Sequence, residues 1–265
     1  VLLVLLVMFA ASLFYFGVLL VEGGIRLLGW RGARPLARFA DAQNLTLRSY
    51  STIDFYTGIN FGAAGLGSVT LDAGALVGRT SGTVAVAGDT IVLQNSGGVF
   101  TEPGVATQGA LTVTANELVL GEGDKVLRGF GSVALTGINA IIGDGHGSLN
   151  AGTAIVTLTT PVLTGRNAGN QSVITTGALT LASTGGASTL AAAASLGTII
   201  SLSGGSLTVG GRIDALGGGV NLTATNGDVK IIDGAVIDVG GLAVQFYDIT
   251  EHADAGRIAV TALGG

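Results

Sequence analysis

A short apolar unit recurs along most of the chain from residue 44 onward. The unit is two Leu, Ile or Val residues separated by one Thr or Ala, and a small residue usually precedes it. Because large apolar positions alternate with small ones, each unit predicts a short β-strand with one buried face. The copies are NLTL at 44–47, GSVTL at 67–71, GTVAV at 82–86, GALTV at 109–113, GSVAL at 131–135, GALTL at 177–181, GSLTV at 205–209 and RIAV at 257–260.

Several units are followed by a second strand at a fixed offset. In one of them, Val84 and Val86 are followed by Ile91 and Leu93, so the apolar positions lie at i, i+2, i+7 and i+9. The parity changes between the two strands, which a single flat strand could allow only by burying its polar face. The Gly-Asp pair at 88–89 tolerates turn geometry, so we expect a corner there.

The spacing of the units predicts the fold class. Successive units are commonly separated by roughly 22 residues, the length of one coil with three short strands. We therefore predict an all-β chain, a right-handed parallel β-helix of about ten coils over residues 44–265. A run of helices is disfavoured by the density of Gly, Thr and Val, and an outer-membrane barrel needs longer strands and aromatic girdles.

The first 43 residues differ from the repeats. Residues 1–21 carry no charge and no proline, and as a helix they would reach about 31 Å, enough to cross a bilayer core. They predict an N-terminal apolar helix, either a transmembrane helix or an export signal; the alternative is that residues 1 to about 40 do not belong to the natural context of the repeats. Residues 22–43 form an arginine-rich linker, so the domains are 1–21, 22–43 and the repeats at 44–265.

Composition narrows the function classes. There are 46 Gly, only 11% charged residues and no Cys, which suits many short strands with tight turns and excludes disulfides and thiolate metal sites. The net charge of −5 gives no basic footprint for nucleic acid.

One stretch is more specific than the repeats. The sequence LRSYSTIDFYTG at 47–58 is followed by GSVTLDAGALVG and by the unit GALTVTANELVLG. Over about residues 36–265, this combination resembles the filamentous haemagglutinin family, and more narrowly an internal domain of large haemagglutinin-like outer-membrane proteins. The resemblance implies a long right-handed β-helix exported by two-partner secretion, through a dedicated outer-membrane transporter.

The resemblance also implies a function and a location. The chain would be a non-enzymatic, adhesin-like shaft module at the outer membrane and cell surface, or secreted, and membrane-anchored if residues 1–21 are retained. Its partners would be the transporter and an unidentified glycan or protein on a host or neighbouring cell. The alternatives are a carbohydrate-active β-helix enzyme and a membrane-tethered structural domain.

Candidate catalytic groups are sparse. His146 and His252 lie in Gly- or Asp-containing stretches that are typical of solvated loops. Asp228, Asp233 and Asp238 recur every five residues and could converge on one loop face, as the carboxylates of a glycosidase do. Asp at such positions more often serves turns, so we predict no catalytic residue.

Metal and cofactor signals are weak. The sequences GDGHG at 143–147 and NGD at 226–228 resemble fragments of calcium loops, but the repeated nonapeptides of a calcium β-roll are absent. We predict no metal site and no cofactor.

One cluster of aromatic residues is denser than any other in the repeats and contains a candidate contact surface. By alternation, Phe55 and Phe61 share one face, which predicts core filling, while Tyr50 and Tyr56 share the other. The two tyrosines are therefore a candidate contact patch for a glycan or protein, against the simpler interpretation that the whole cluster fills the core.

Overall fold

The chain folds as an all-β parallel solenoid of about eight turns. The computed structural model describes residues 18–21, 24–27, 43–62, 66–100, 108–191 and 195–264. Its strands are β1 (Val18–Val21), β2 (Gly24–Leu27), β3 (Asn44–Arg48), β4 (Thr52–Phe55), β5 (Ile59–Gly62), β6 (Ser68–Asp72), β7 (Ala75–Gly78), β8 (Thr83–Gln94), β9 (Gly109–Leu120), β10 (Gly123–Arg128), β11 (Phe130–Asn150), β12 (Ile155–Thr159), β13 (Val162–Ile174), β14 (Ala178–Ala182), β15 (Ile199–Gly204), β16 (Ser206–Val209), β17 (Arg212–Asp214), β18 (Gly219–Ala224), β19 (Val229–Ile231), β20 (Val236–Asp238), β21 (Ala243–Phe246), β22 (Ile249–His252) and β23 (Arg257–Ala262).

The strands form three parallel ladders, which we call faces A, B and C. Long strands such as β8 and β11 turn a corner and contribute to more than one face. Face A contains 44–48, 68–72, 90–94, 117–120, 140–144, 162–166, 212–214 and 236–238. Face B contains 24–27, 52–55, 75–78, 123–128, 147–150, 170–174, 199–204, 219–224 and 257–262. Face C contains 59–62, 83–87, 110–115, 132–137, 155–159, 178–182, 206–209 and 229–231.

The core runs along the axis enclosed by the three ladders. On face C the inward residues Val84, Leu111, Val133 and Val156 are all at most 1% exposed, and their neighbours along each strand point outward. This confirms the period-2 pattern of the repeat. The predicted corner also holds, because Gly88 and Asp89 stand where β8 passes from face C to face A.

The number of turns is lower than the predicted ten, because some segments leave the coil. No strand of the described residues lies on face B between β7 and β10, and these two strands pair directly. On face A, β13 likewise pairs directly with β17. The described residues of the segments 95–108 and 183–198 therefore lie outside the ladders, as does the segment 239–256, which contains the antiparallel hairpin of β21 and β22. In sequence, the three segments are together about as long as two coils.

The first two of these segments each have described residues that pack on the outside of the face from which a strand is missing. The ring of Phe100 lies 5.9 Å from the guanidinium of Arg128, whose strand belongs to face B. On face A, Leu190 packs against a buried outer cluster, and Asn139 Oδ1 accepts a hydrogen bond from Thr189 N at 2.8 Å. The outer cluster consists of Val119, Ala140, Ile142 and Val162. Each segment thus covers part of an outer surface.

The predicted apolar helix over residues 1–21 is not confirmed. Val18–Val21 form β1, which pairs antiparallel with β2 in the region predicted as a linker, and β2 continues face B onto β4. The remaining residues of the predicted helix lie outside the described part of the chain. Among the described residues, no helix has the length and apolarity needed to span a bilayer.

Replacement of one inward residue tests the ladder assignment. Val113 is 0% exposed, so Val113→Asp buries an unpaired carboxylate, and we expect a loss of about 4 kcal/mol or more in the free energy of unfolding. The matched control is Thr112→Asp, which places the same charge on the outer side of the same strand. Thermal melting followed by circular dichroism would contradict the assignment if both variants melted alike.

Candidate functional site

The two tyrosines of the candidate contact patch lie at opposite ends of β4. Tyr50 precedes the strand and is 78% exposed, whereas Tyr56 follows it and is half-buried. The guanidinium of Arg79 lies 5.9 Å from the ring centre of Tyr56, within reach of a cation–π contact. Tyr50 is therefore available for contact, and Tyr56 is engaged by the protein itself.

The other aromatic residues of this region fill the core, as the alternation predicts. Phe55 is 1% and Phe61 4% exposed, and Ile53 between the two tyrosines is fully buried. The Asp54 carboxylate points to the opposite side of β4, where it accepts hydrogen bonds from Arg79 Nε and from Thr52 Oγ1. This ion pair holds Arg79 in position.

The residues considered for catalysis are dispersed. His146 is exposed on β11, and His252 is exposed on the projecting hairpin. Asp233 stands in an exposed turn between β19 and β20, and the structure does not bring it together with Asp228 and Asp238. Within the described residues, no three His, Asp or Glu side chains are grouped so that they could hold a metal ion.

Two of these aspartates are paired with basic side chains. Asp228 Oδ2 lies 3.8 Å from Lys230 Nζ on the exposed surface. Asp238 Oδ2 lies 3.4 Å from Arg212 Nη2, and the Nε of the same arginine is 2.7 Å from Asp214 Oδ1. Arg212 therefore links two successive strands of face A through Asp238, whereas Asp228 and Lys230 pair locally.

A polar cluster at the corner between faces A and B was not predicted from the sequence. Asp72 is 3% exposed and accepts hydrogen bonds from the backbone N–H and hydroxyl of Ser96, each 2.8 Å, and from Gln94 Nε2 at 3.2 Å. Arg48 Nε lies 3.1 Å from the same carboxylate. Burial raises the pKa of Asp72, but these hydrogen bonds and the arginine charge outweigh it and lower the pKa below its usual value.

The most unusual group of the core is a buried lysine. Lys125 is 4% exposed and stands in register with Leu149 and then Val173, so the same position is apolar in the two following coils. Its Nζ donates hydrogen bonds to the carbonyl oxygens of Gly121 and Gly123. Desolvation lowers the pKa of Lys125 to about 8, although the charge of Asp124 acts in the opposite direction.

Gln171, which belongs to a later coil, forms an internal polar cluster together with Lys125. It is 3% exposed, and its Nε2 donates to the carbonyl oxygens of Gly121, Asp144 and Gly145 at 3.0 to 3.2 Å. Lys125 and Gln171 thus meet at the carbonyl of Gly121. Amines with a lowered pKa can act as nucleophiles, but this one is inside the coil and occupied by two carbonyls, so its role is structural.

Comparisons with family models, with curated proteins and with solved structures found no match for this chain. The fold alone defines its class, which is that of the parallel β-solenoids. That class serves structural proteins and enzymes alike, so any function has to be argued from the faces and their side chains.

The buried lysine makes the stability of the fold depend on pH. In the unfolded chain its pKa is about 10.4, so between about pH 8 and 10 the folded state binds fewer protons than the unfolded state. The free energy of unfolding therefore rises with pH in this window, by up to about 3 kcal/mol for the lowered pKa. Below about pH 8, Lys125 is charged in both the folded and the unfolded state, so the full free-energy cost of burying the charge remains.

Chemical denaturation at pH 7 and at pH 10 measures this effect. We expect the wild type to gain stability between the two values relative to Lys125→Met, which cannot titrate at this position. The control is Lys230→Met, because Lys230 is an exposed lysine on face C. Parallel pH dependence of the wild type and Lys125→Met would contradict the assignment of Lys125 as a buried charge.

Proposed function

We propose that the chain is a stiff, non-enzymatic shaft module of a bacterial surface or secreted protein, of the kind that the filamentous haemagglutinin resemblance implies. The observation that carries the proposal is the continuity of the three ladders. Every face is stacked strand on strand, and one hydrophobic cluster extends from Ile53 to Leu222 along the axis. In this proposal the coil is right-handed, as parallel crossovers nearly always are.

Stiffness follows from the geometry of the ladders. Bending the axis would lengthen the hydrogen bonds of at least one face, and it would open the core on that side. Because each coil buries its inner face only against its neighbours, local fraying costs interactions on all three faces. About eight turns at roughly 4.8 Å each correspond to about 38 Å along the axis. Such a rod can hold a binding region away from a cell surface.

The side chains of the described residues favour a structural role over catalysis. The buried carboxylates Asp54 and Asp72 are engaged by arginines of neighbouring coils. Within the described residues, neither exposed histidine forms a hydrogen bond with a carboxylate or with a nucleophilic side chain. A carbohydrate-active enzyme would need a pair of free carboxylates across a groove. Release of reducing ends from acidic polysaccharides by the purified chain would favour that alternative.

Protease treatment of intact cells that produce the native protein tests the location. We expect peptides from residues 43–264 to be released from intact cells, because a shaft of this kind is exported. Peptides that appear only after lysis, in the membrane fraction and joined to residues 1–21, would contradict surface exposure and favour a membrane-tethered domain. A cytoplasmic marker protein monitors lysis, so that the two outcomes stay distinct.

Tyr50 is the residue through which contact with a partner can be tested. A binding partner on a neighbouring cell or a host would bury this exposed ring, and loss of an aromatic anchor commonly costs about 1 to 2 kcal/mol, which is roughly tenfold in affinity. We expect Tyr50→Ala to weaken the adherence of beads coated with the chain to neighbouring bacterial cells or host cells. The control is Tyr247→Ala, a fully exposed tyrosine at the tip of the hairpin. Equal adherence of wild type and Tyr50→Ala would remove Tyr50 from the patch.

A further inference from the structure

The outer side of face C carries a regular array of threonines. Thr157, Thr180 and Thr208 stand in register on successive strands, and so do Thr136 and Thr159. No register shift interrupts face C between β12 and β16. We call the following residues the threonine array: Thr112, Thr114, Thr136, Thr157, Thr159, Thr180 and Thr208.

The surroundings of the threonine array are uncharged and small. From residue 83 to residue 209, no outward residue of face C is charged or aromatic. The outward positions between the threonines hold Ala85, Ala87, Ala110, Ser132, Ala134, Ile155, Ala178, Ala182 and Ser206. All of them are half-buried or exposed, so no described segment covers this surface. On faces A and B, in contrast, the segments described above cover part of the outer side.

The hydroxyl groups of the array are available to a ligand. None of the seven side-chain hydroxyl groups donates or accepts a hydrogen bond within the described part of the chain. Each hydroxyl can therefore donate one hydrogen bond and accept others, and each γ-methyl group lies beside it. The inward neighbours on the same strands, such as Val113, Leu158 and Leu181, are fully buried, so the backbone that carries the array is held rigidly.

The spacing of the array points to a ligand that is itself periodic. Neighbouring strands are about 4.8 Å apart, and threonines two residues apart on one strand are separated by about 6.7 Å. Nucleic acid would require basic side chains, which this surface lacks. Binding of sugar rings generally uses aromatic platforms, and none is present here. A rigid two-dimensional set of hydroxyl and methyl groups instead matches ordered water, in which each oxygen both donates and accepts.

We propose that the outer side of face C binds ice. The hydroxyls take positions of water oxygens in the surface layer, and the methyl groups order the water between them. A surface without charges avoids breaking this layer, because a charged group reorients the water around it. The inference rests on the threonine array and is independent of the proposed shaft function.

Partition of the purified chain into slowly growing ice tests the proposal, together with the shape of single ice crystals and thermal hysteresis. We expect the wild type to be incorporated and to facet the crystals. Thr157→Lys places a charge in the middle of the array and should lower incorporation by about tenfold or more. The matched control is Thr223→Lys, a half-buried outward threonine on face B, which should leave incorporation unchanged.

Thermal melting confirms that both variants keep the fold, since each substitution lies on the outer side of a strand. Exclusion of the folded wild type from ice would overturn the proposal. Equal loss in Thr157→Lys and Thr223→Lys would overturn the assignment to face C. Binding to crystalline cellulose or dimerisation of the chain, abolished by Thr157→Lys while ice is not bound, would show that face C serves another ligand and would also overturn it.

Discussion

A coil of this chain can satisfy its backbone only through the coils on either side of it. The strands of faces A, B and C donate and accept their hydrogen bonds across the stack, and hardly any of these bonds stay within one coil. The same stacking buries the inward residues, so hydrogen bonding and hydrophobic burial depend on one register. A slip of one residue on any face would turn its apolar row outward. Both requirements explain why the apolar alternation is so regular from coil to coil.

This constraint also accounts for the departures from regularity. A coil can omit a strand if the strands on either side of it pair with each other, as β7 does with β10 and β13 with β17. The displaced segment then leaves at a corner and packs outside, where Leu190 shields the outer cluster of face A. The ladder remains continuous although the spacing along the chain becomes uneven.

The sequence predicts the strands well because the repeat states which residues face inward. It does not predict which segments leave the coil, because 183–191 consists mostly of Gly, Ser, Thr and Ala, the same small residues that separate the strands within the coils. The internal polar cluster was missed for another reason. Lys125 follows Gly123 and Asp124, so the sequence favours an exposed turn at this position, although the side chain of Lys125 points inward. The carbonyl groups that accept its hydrogen bonds come together only when the corners of the coil are formed. Of the candidate contact patch, Tyr50 is exposed, whereas Tyr56 contacts Arg79, which lies in the following coil.

The stacking interval is the same for all three faces, and this has a consequence for any outward residue that the repeat carries. A small polar residue between two buried apolar ones is, in one coil, an ordinary feature of an amphipathic strand. When Thr180 stands on Thr157 and Thr208 on Thr180, the same feature becomes a row with the period of the ladder. The hydrophobic core therefore sets the spacing of the surface groups as well as the stiffness of the rod. Faces A and B lose this regularity where displaced segments cross them, and face C keeps it because its strands are never omitted between β5 and β19.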